Sequence, residues 1–167
     1  MSEITQVQDT RRTFVHELLK LMEKDDKVVM VTCDVGFNYL NEVQEKFPDR
    51  YYNLGVTEQS TVMICVGMAL SGLKPYFYSM VPFVLFRPYE MVRNGVVHHK
   101  ANVKLMGVKG STSYKFLGFS HNMTDEDEDL NAARALGLRN FRCVSNDEVQ
   151  QVMEATYDSK EAAYIRL

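Results

Sequence analysis

The chain has 167 residues, of which 46% are hydrophobic and 25% are charged, and its net charge is −3. This length and composition indicate one globular domain with a full hydrophobic core, and they give no electrostatic reason to expect nucleic acid or an anionic membrane as a partner. No apolar run approaches the length of a membrane-spanning helix and no signal peptide is recognisable, so we expect neither a membrane span nor secretion.

Hydrophobic periodicity and turn residues predict helices and strands in strict alternation. In chain order these are a helix at 10–24, a strand at 28–32, a helix at 39–47, a strand at 51–54, a helix at 60–71 and a strand at 75–80. They continue with a helix at 82–99, a strand at 103–108, a long loop at 109–124, a helix at 125–136, a strand at 140–144, a helix at 147–158 and a strand at 162–167. Thr10 is a candidate cap for the first helix, and the helix at 60–71 is apolar nearly all round, which predicts that it is buried.

This alternation predicts a three-layer α/β/α fold with a mainly parallel six-stranded sheet and right-handed crossovers. Residues 1–9 are predicted to be a flexible lead, and residues 10–167 a single domain. The three cysteines, Cys33, Cys65 and Cys143, lie far apart in apolar segments. Their number and positions favour buried free thiols in a reducing, cytoplasmic compartment over a disulfide framework or a zinc site.

Glu58 lies where the strand at 51–54 passes into the next helix. The helix dipole alone explains an acid in a first turn. However, open α/β sheets bind ligands at this kind of strand–helix transition. A carboxylate shielded from water by the apolar helix behind it could then share a proton with a nitrogen atom of a ligand.

Three aromatic residues, Phe83, Phe86 and Tyr89, follow at spacings of three, which places them on one side of a helix start. Core packing is one explanation for such spacing. Prolines close by and the adjacent Arg87 favour the rim of a site, where an aromatic face could stack on a flat heterocycle.

Other polar residues follow two further strands. Asp34 lies after the first strand, where a turn or cap role would also be sufficient. The loop at 109–124 contains Lys109 and His121, and a loop of this length in a compact domain is usually functional. A lone loop histidine is nevertheless often simply solvated.

Taken together, these segments resemble the pyrimidine-binding domain of transketolases. Residues 55–59, Gly-Val-Thr-Glu-Gln, are similar to the family motif G-x-x-E-[HQ]. Residues 83–89 fit F-x-x-F-x-x-Y, and residues 118–121, Gly-Phe-Ser-His, fit G-P-T-H. The resemblance covers residues 10–167. Further matching positions are Arg11, Asp34, Gly67, Gly72, Lys74, Pro75, Tyr76 and Arg166.

The resemblance implies an enzyme that binds thiamine diphosphate and a divalent metal, Mg²⁺ or Ca²⁺, between a pyrimidine domain of one subunit and a diphosphate domain of another. Glu58 would hydrogen-bond N1′ of the aminopyrimidine and favour the imino tautomer that deprotonates the thiazolium carbon. Phe83 and Phe86 would wall the pyrimidine ring with Tyr89 nearby, and Asp34 would lie at the cofactor pocket and the subunit contact.

Substrate contacts are implied in the same way. His121 would contact hydroxyl or carbonyl groups of the substrate, which makes it the second expected catalytic residue after Glu58. Arg11 and Arg166 match arginines that bind a sugar-phosphate acceptor. Lys109 stands where the family has a histidine in its substrate channel, and Asn38 stands where a phosphate-binding serine is usual.

Two departures from the family pattern qualify this expectation. Full transketolases carry three domains in one chain, whereas this sequence matches only the middle one and lacks the Gly-Asp-Gly…Asn motif for magnesium and diphosphate. We therefore expect a separate diphosphate-binding subunit, assembled with this one as a homodimer of heterodimers (α2β2). Leu117 also replaces the family's acidic residue, which favours a different acceptor, such as a ketone on a nucleotide-linked sugar, over an ordinary aldose phosphate.

The expected function is transfer of a two-carbon ketol or acyl unit from a small keto donor to a sugar-type acceptor. Two alternatives stay open. One is a subunit of a thiamine-dependent α-keto acid decarboxylase or dehydrogenase, and the other is a regulatory or assembly domain that has lost the chemistry. Retention of Glu58 and Phe83 argues against the second, because a pure scaffold needs no polar group there.

Overall fold

The structure is a computed structural model that describes residues 8–109 and 112–167, with residues 112–114 as backbone. The predicted lead at 1–9 therefore lies largely outside the described residues. Its last two residues, Gln8 and Asp9, bond to Asn146 near the other end of the chain: the backbone N–H of Asn146 donates to Gln8 Oε1 at 2.7 Å, and Asp9 N donates to Asn146 Oδ1 at 3.1 Å.

Six strands form one sheet in the order β2-β1-β3-β4-β6-β5, and every described strand pair is parallel. Strands β1, β3, β4 and β6 are buried almost throughout, which explains their continuous apolar character. The predicted α/β/α fold with a parallel sheet is thus confirmed. The strands are β1 Val28–Thr32, β2 Tyr51–Asn53, β3 Lys74–Met80, β4 Lys104–Val108, β5 Arg139–Arg142 and β6 Ala163–Arg166.

Helices cover both faces of the sheet. Those on one face pack around Phe14, Tyr78 and Val149, and those on the other pack around Val62 and Phe77. The α-helices are α1 Thr10–Lys24, α2 Asn41–Lys46, α3 Glu58–Leu70, α4 Tyr89–Met91, α5 Glu128–Ala135 and α6 Asn146–Tyr157. The π-helical segments Pro82–Phe86 and Val92–Val97 flank α4, and short 3₁₀ turns occupy Pro48–Arg50, Thr112–Leu117 and Phe119–His121.

Two predictions about helix ends need correction. The cap of α1 is Asp9, not Thr10, because the Asp9 carboxylate accepts a hydrogen bond from Arg12 N at 3.0 Å. Helix α3 begins at Glu58, two residues earlier than predicted.

Helix α3 is also less buried than its composition predicts. Val62 and Cys65 face the core with no exposed surface. On its other side Met63, Ile64 and Leu70 keep 45%, 43% and 62% of their surface exposed. The prediction of a fully buried helix was wrong, since only one face of α3 has a covering layer within the described residues. An apolar strip of this kind is typical of a surface that packs against another chain.

Cys33, Cys65 and Cys143 are buried free cysteines, as predicted. Burial raises the pKa of each thiol, so all three remain protonated at neutral pH. No helix within the described ranges is long and apolar enough to cross a membrane.

Candidate functional site

A cavity of about 330 Å³ opens at the carboxyl edge of the sheet, where open α/β folds bind ligands. Four segments of the chain meet there: the loop after β1, the turn from β2 into α3, the π-helical segment after β3, and the loop after β4. Four of the predicted site residues line it, and they are Asp34, Glu58, Phe83 and His121. The remaining lining residues are Cys33, Val35, Gly36, Phe37, Val56, Met80, Arg87 and Leu117.

The turn from β2 into α3 fixes the position of Glu58. Gly55 adopts a left-handed φ of +68°, which a residue with a side chain rarely adopts. The Thr57 hydroxyl donates to Leu54 O at 2.8 Å and fastens the turn. Glu58 is then the first residue of α3, where the helix dipole favours a carboxylate, and its exposed fraction is only 3%.

Asn53 joins two of the loops that line the cavity. Its Oδ1 atom accepts hydrogen bonds from Asp34 N at 2.9 Å and from Gly55 N at 3.2 Å. The loop after β1 and the turn before α3 are therefore held together by one side chain. The sequence interpretation missed this residue, although an asparagine two positions before a glycine at the end of a strand is a recognisable turn signal.

Glu58 is paired with Arg87, which the sequence interpretation placed at the rim without a partner. Arg87 Nη1 donates to Glu58 Oε1 at 2.7 Å, and 40% of the Arg87 side chain is exposed, against 3% for Glu58. The guanidinium carbon of Arg87 also lies 4.0 Å from the centroid of the Phe83 ring. Gln59 Nε2 donates to the Arg87 carbonyl at 3.2 Å and holds the Arg87 backbone next to α3.

A wide helical turn explains why the three aromatic residues do not share one side. The N–H of Arg87 bonds to the carbonyl of Pro82, five residues back, at 2.8 Å. A π-type turn is wider than an α-helical turn, so residues spaced by three, such as Phe83 and Phe86, no longer lie on the same face. Phe83 therefore faces the cavity, whereas Phe86 packs against the core around Val62 and Phe77. Tyr89 is half-buried at the start of α4 and does not line the cavity.

His121 meets Phe83 from the opposite wall. The centroids of the two rings are 4.9 Å apart and the rings are nearly perpendicular, which is an edge-to-face contact. Ser120 Oγ lies 2.8 Å from His121 Nδ1 and orients the ring. Leu117, four residues earlier in the same loop, supplies an apolar wall beside them.

Arg166 and Lys109 lie outside the cavity lining, and the substrate-binding role predicted for them stays a prediction. The Arg166 side chain is 3% exposed and pairs with Asp129 at 2.8 Å, and it also donates to the Glu126 carbonyl. Lys109 forms an ion pair with the Glu126 carboxylate. Both cations are therefore engaged by acids of the α5 region in the structure.

Arg11 and Asn38 are likewise placed elsewhere. The guanidinium carbon of Arg11 lies 4.2 Å from the centroid of the Tyr39 ring. Asn38 is exposed in a left-handed turn with φ +66°, and its N–H donates to Asn41 Oδ1 at 3.2 Å. Neither residue lines the cavity.

The geometry suits one kind of ligand group. A flat ring fits against the face of Phe83, and an N–H donor at its edge fits against Glu58. The guanidinium of Arg87 makes both of these contacts within the chain itself. An aminopyrimidine is also flat, and a proton shared between its N1′ and a carboxylate makes the same kind of edge contact. The residues present therefore fit the pyrimidine half of thiamine diphosphate.

Comparison with known proteins agrees with this geometry. Residues 6–167 match the family model described as transketolase, pyrimidine binding domain. A subunit of the apulose-4-phosphate transketolase of Phocaeicola vulgatus is 28% identical over 159 residues, which are 94% of this chain and 50% of that protein. The 1-deoxy-D-xylulose-5-phosphate synthase of Clostridium perfringens (strain ATCC 13124) is 42% identical over 94 residues, which are 56% of this chain and 15% of that protein.

A solved structure described as a split gene transketolase in an inactive beta4 tetramer has the same fold. It superimposes with a TM-score of 0.81 at 24% sequence identity, over 95% of this chain and 50% of that one. The chain thus spans half or less of the length of each of these relatives.

Proposed function

This chain belongs to the transketolase pyrimidine-binding domain family, and on that premise we propose that it is one subunit of a two-chain enzyme that uses thiamine diphosphate to transfer a two-carbon ketol or acyl unit. The observation that carries the proposal is a cavity in which a buried carboxylate, Glu58, and an aromatic ring, Phe83, both contact one flat group, the guanidinium of Arg87. A packing role alone would not leave an acid 3% exposed beside a ligand-sized cavity.

The residues that line the cavity have different roles in this proposal. Glu58 holds a proton against N1′ of the aminopyrimidine, and Phe83 walls the ring, with Phe86 supporting the turn from the core side. When bound, thiamine diphosphate supplies the nucleophilic carbon that accepts and hands on the two-carbon unit. His121 faces the same cavity and donates a hydrogen bond to a hydroxyl or carbonyl group of the substrate, and Asp34 borders the cofactor at the subunit contact.

A second chain completes the site in this proposal. The sequence has no diphosphate and metal motif, so the partner binds the diphosphate through Mg²⁺ or Ca²⁺. The apolar strip on α3, which consists of Met63, Ile64 and Leu70, gives that partner a surface to cover. One relative is named as a single subunit of a transketolase, and another is a split gene transketolase whose beta4 tetramer is inactive. We expect an α2β2 assembly that is active only when both chains are present.

The loop after β4 offers the acceptor Leu117 and His121, and the cationic lining residue Arg87 is paired with Glu58. Leu117 lies beside His121 in the cavity wall, whereas Arg166 and Lys109 are engaged by acids outside it. These contacts suit a ketone on a large sugar derivative, such as a nucleotide-linked sugar, better than a small aldose phosphate whose phosphate needs free cations.

The test uses the complex of this chain with a co-expressed chain that carries Gly-Asp-Gly…Asn. We expect the complex, with Mg²⁺ present, to bind thiamine diphosphate and to transfer the two-carbon unit, and neither chain to do so alone. Glu58→Gln should lower turnover by about 10²-fold or more while the complex still assembles. Glu90→Gln is the matched control, since Glu90 is an exposed acid of the next helix that accepts a hydrogen bond from Asn94.

Two results would contradict the proposal. Full turnover by the Glu58→Gln complex would remove Glu58 from the chemistry. No thiamine diphosphate binding by any complex would return the chain to the non-catalytic alternative. Release of CO₂ from a keto acid without any acceptor would instead favour the decarboxylase alternative.

A further inference from the structure

Arg87 makes two specific contacts with the site that its own chain builds. Its Nη1 donates to Glu58 Oε1 at 2.7 Å, and its guanidinium carbon stands 4.0 Å above the centre of the Phe83 ring. A guanidinium is flat, cationic and rimmed with N–H donors in its plane. One N–H of the group therefore points at the carboxylate, while the guanidinium lies over the aromatic ring.

These are the two contacts that the proposed function assigns to the aminopyrimidine ring. One carboxylate oxygen and one ring face cannot serve a guanidinium and a pyrimidine at the same time. We propose that Arg87 is an internal stand-in for the pyrimidine. The Arg87 side chain pairs with Glu58 before the cofactor binds, and it must leave Glu58 for the cofactor to bind. This inference rests on the proposed function.

The exposure of the two partners shows which one moves. Glu58 is 3% exposed and is fixed by the turn from Gly55 into α3. The Arg87 side chain is 40% exposed and is held mainly at its tip. The backbone of Arg87 is anchored separately, because Gln59 Nε2 donates to its carbonyl. The side chain of Arg87 can thus swing toward solvent without disturbing the helix.

The exchange has a consequence for affinity. The cofactor must displace a charge-assisted hydrogen bond and a cation–π contact before it gains its own contacts. Arg87 thereby lowers the affinity for the pyrimidine while keeping Glu58 paired and the cavity shaped for a flat group. The remaining binding energy has to come from the diphosphate contacts of the partner chain, which couples cofactor capture to assembly.

The test measures the dissociation constant of thiamine diphosphate by isothermal titration calorimetry, on the complex with its partner in Mg²⁺. Arg87→Gln removes the charge and the flat fork, and we expect the dissociation constant to fall about five- to fifty-fold. Arg87→Lys keeps the charge but lacks a planar group that can stack, so its dissociation constant should lie between those of the wild type and Arg87→Gln. Arg93→Gln is the matched control, since exposed Arg93 of the same helical region bonds to Asn94, and its constant should equal that of the wild type.

A dissociation constant that is unchanged or higher in Arg87→Gln overturns the stand-in role while leaving the proposed function in place. Absence of binding by the wild type and by every variant overturns both.

A second measurement does not depend on affinity. In ¹⁵N spectra of the wild-type complex, the Arg87 guanidinium should give a slowly exchanging signal, which Glu58→Gln abolishes. Saturation with thiamine diphosphate should abolish it as well. A protected Arg87 signal that persists in the saturated complex contradicts the exchange.

Discussion

Two arginine–carboxylate pairs stand at the carboxyl edge of the sheet, and they differ in what surrounds the arginine. In both pairs the carboxylate opens a helix and is buried: Glu58 at the start of α3 is 3% exposed, and Asp129 in the first turn of α5 is 0% exposed. Their ion-pair distances are nearly equal, 2.7 Å to Arg87 and 2.8 Å to Arg166. The Arg87 side chain is 40% exposed, however, whereas that of Arg166 is 3% exposed.

The second pair is also more fully bonded. Tyr164 OH donates to Asp129 Oδ2 at 2.5 Å, and Arg166 donates to the Glu126 carbonyl in addition to Asp129. Burial and the Asp129 carboxylate raise the pKa of Tyr164, so its hydroxyl stays protonated as a donor. A charge pair closed off on all sides is structural, because nothing can replace either partner. A pair whose cation reaches solvent can exchange that cation for a ligand.

The largest effect is expected from opening the closed pair. Asp129→Ala leaves the buried Arg166 guanidinium without its buried carboxylate, and the free energy of unfolding should fall by about 3–5 kcal/mol. Urea denaturation followed by circular dichroism measures this loss. Asp127→Ala is the control, because the Asp127 side chain is 52% exposed and lies 3.5 Å from Arg166, so it should cost less than about 1 kcal/mol. Equal losses in the two variants would show that burial does not distinguish them.

The sequence predicts the fold, but it does not predict the difference between the two ion pairs. Continuous apolar runs such as 28–32 and short connections predicted the parallel sheet, and the strand–helix transition identified Glu58. The carboxylate partners of Arg87 and Arg166 are not predictable from the sequence, because the partner of an arginine is set by tertiary packing rather than by its neighbours in sequence. The wide turn at Pro82–Phe86 also rotated Phe86 out of the face predicted for it. A residue spacing read from the sequence assumes an α-helical turn and therefore does not predict this rotation.

The surface of α3 illustrates the same limit. Its residues are apolar on every side, and the sequence pattern therefore predicted complete burial. Whether Ile64 and Leu70 are covered depends on a neighbour outside the described chain, which composition alone cannot supply. The cap of α1 was misplaced for a smaller reason, since Asp9 and Thr10 are adjacent and both residue types can cap a helix.

Lys104 is a buried cation that, unlike Arg87 and Arg166, has no carboxylate as a hydrogen-bond partner within the described residues. Lys104 is 3% exposed, and its ammonium donates to neutral oxygens, Asn102 Oδ1 at 2.5 Å and Glu161 O at 2.6 Å. Burial, with a smaller contribution from Arg139, lowers the pKa of Lys104 to about 8. An unfolded lysine has a pKa near 10.4, so between these values the unfolded chain binds more protons and stability rises with pH. The cost of burying the charge is fully present below pH 8.

Lys104→Met removes that cost. The free energy of unfolding of wild type relative to Lys104→Met should therefore rise by about 2 kcal/mol between pH 7.5 and pH 10. Urea titrations of both proteins at the two pH values give this difference, in which other titrating groups cancel. Lys160→Met is the control, since Lys160 is exposed, and its difference from wild type should not change with pH. A pH-independent difference for Lys104→Met would mean that water reaches the ammonium.

A smaller effect is expected when the closed pair loses only one of its hydrogen bonds. Tyr164→Phe removes the donor to Asp129 Oδ2 and leaves a buried carboxylate oxygen without that partner. The free energy of unfolding should fall by about 2 kcal/mol, less than for Asp129→Ala, because the ion pair itself remains. Tyr157→Phe is the control, since its hydroxyl donates to the partly exposed Asp25 at 2.9 Å. A larger loss for the control would contradict the ranking by burial.

The smallest effect is expected from removing the exposed arginine. Arg87→Gln should change the free energy of unfolding by less than about 1 kcal/mol, although it leaves a buried carboxylate unpaired. The reason is that Arg87 covers Glu58 on the cavity side, so a shorter side chain admits water to the carboxylate. Arg166→Gln admits none, and it should cost about 3–5 kcal/mol by the same urea measurement. If both substitutions cost the same, the Glu58 pair is structural, and the exchange of Arg87 for a cofactor ring loses its energetic basis.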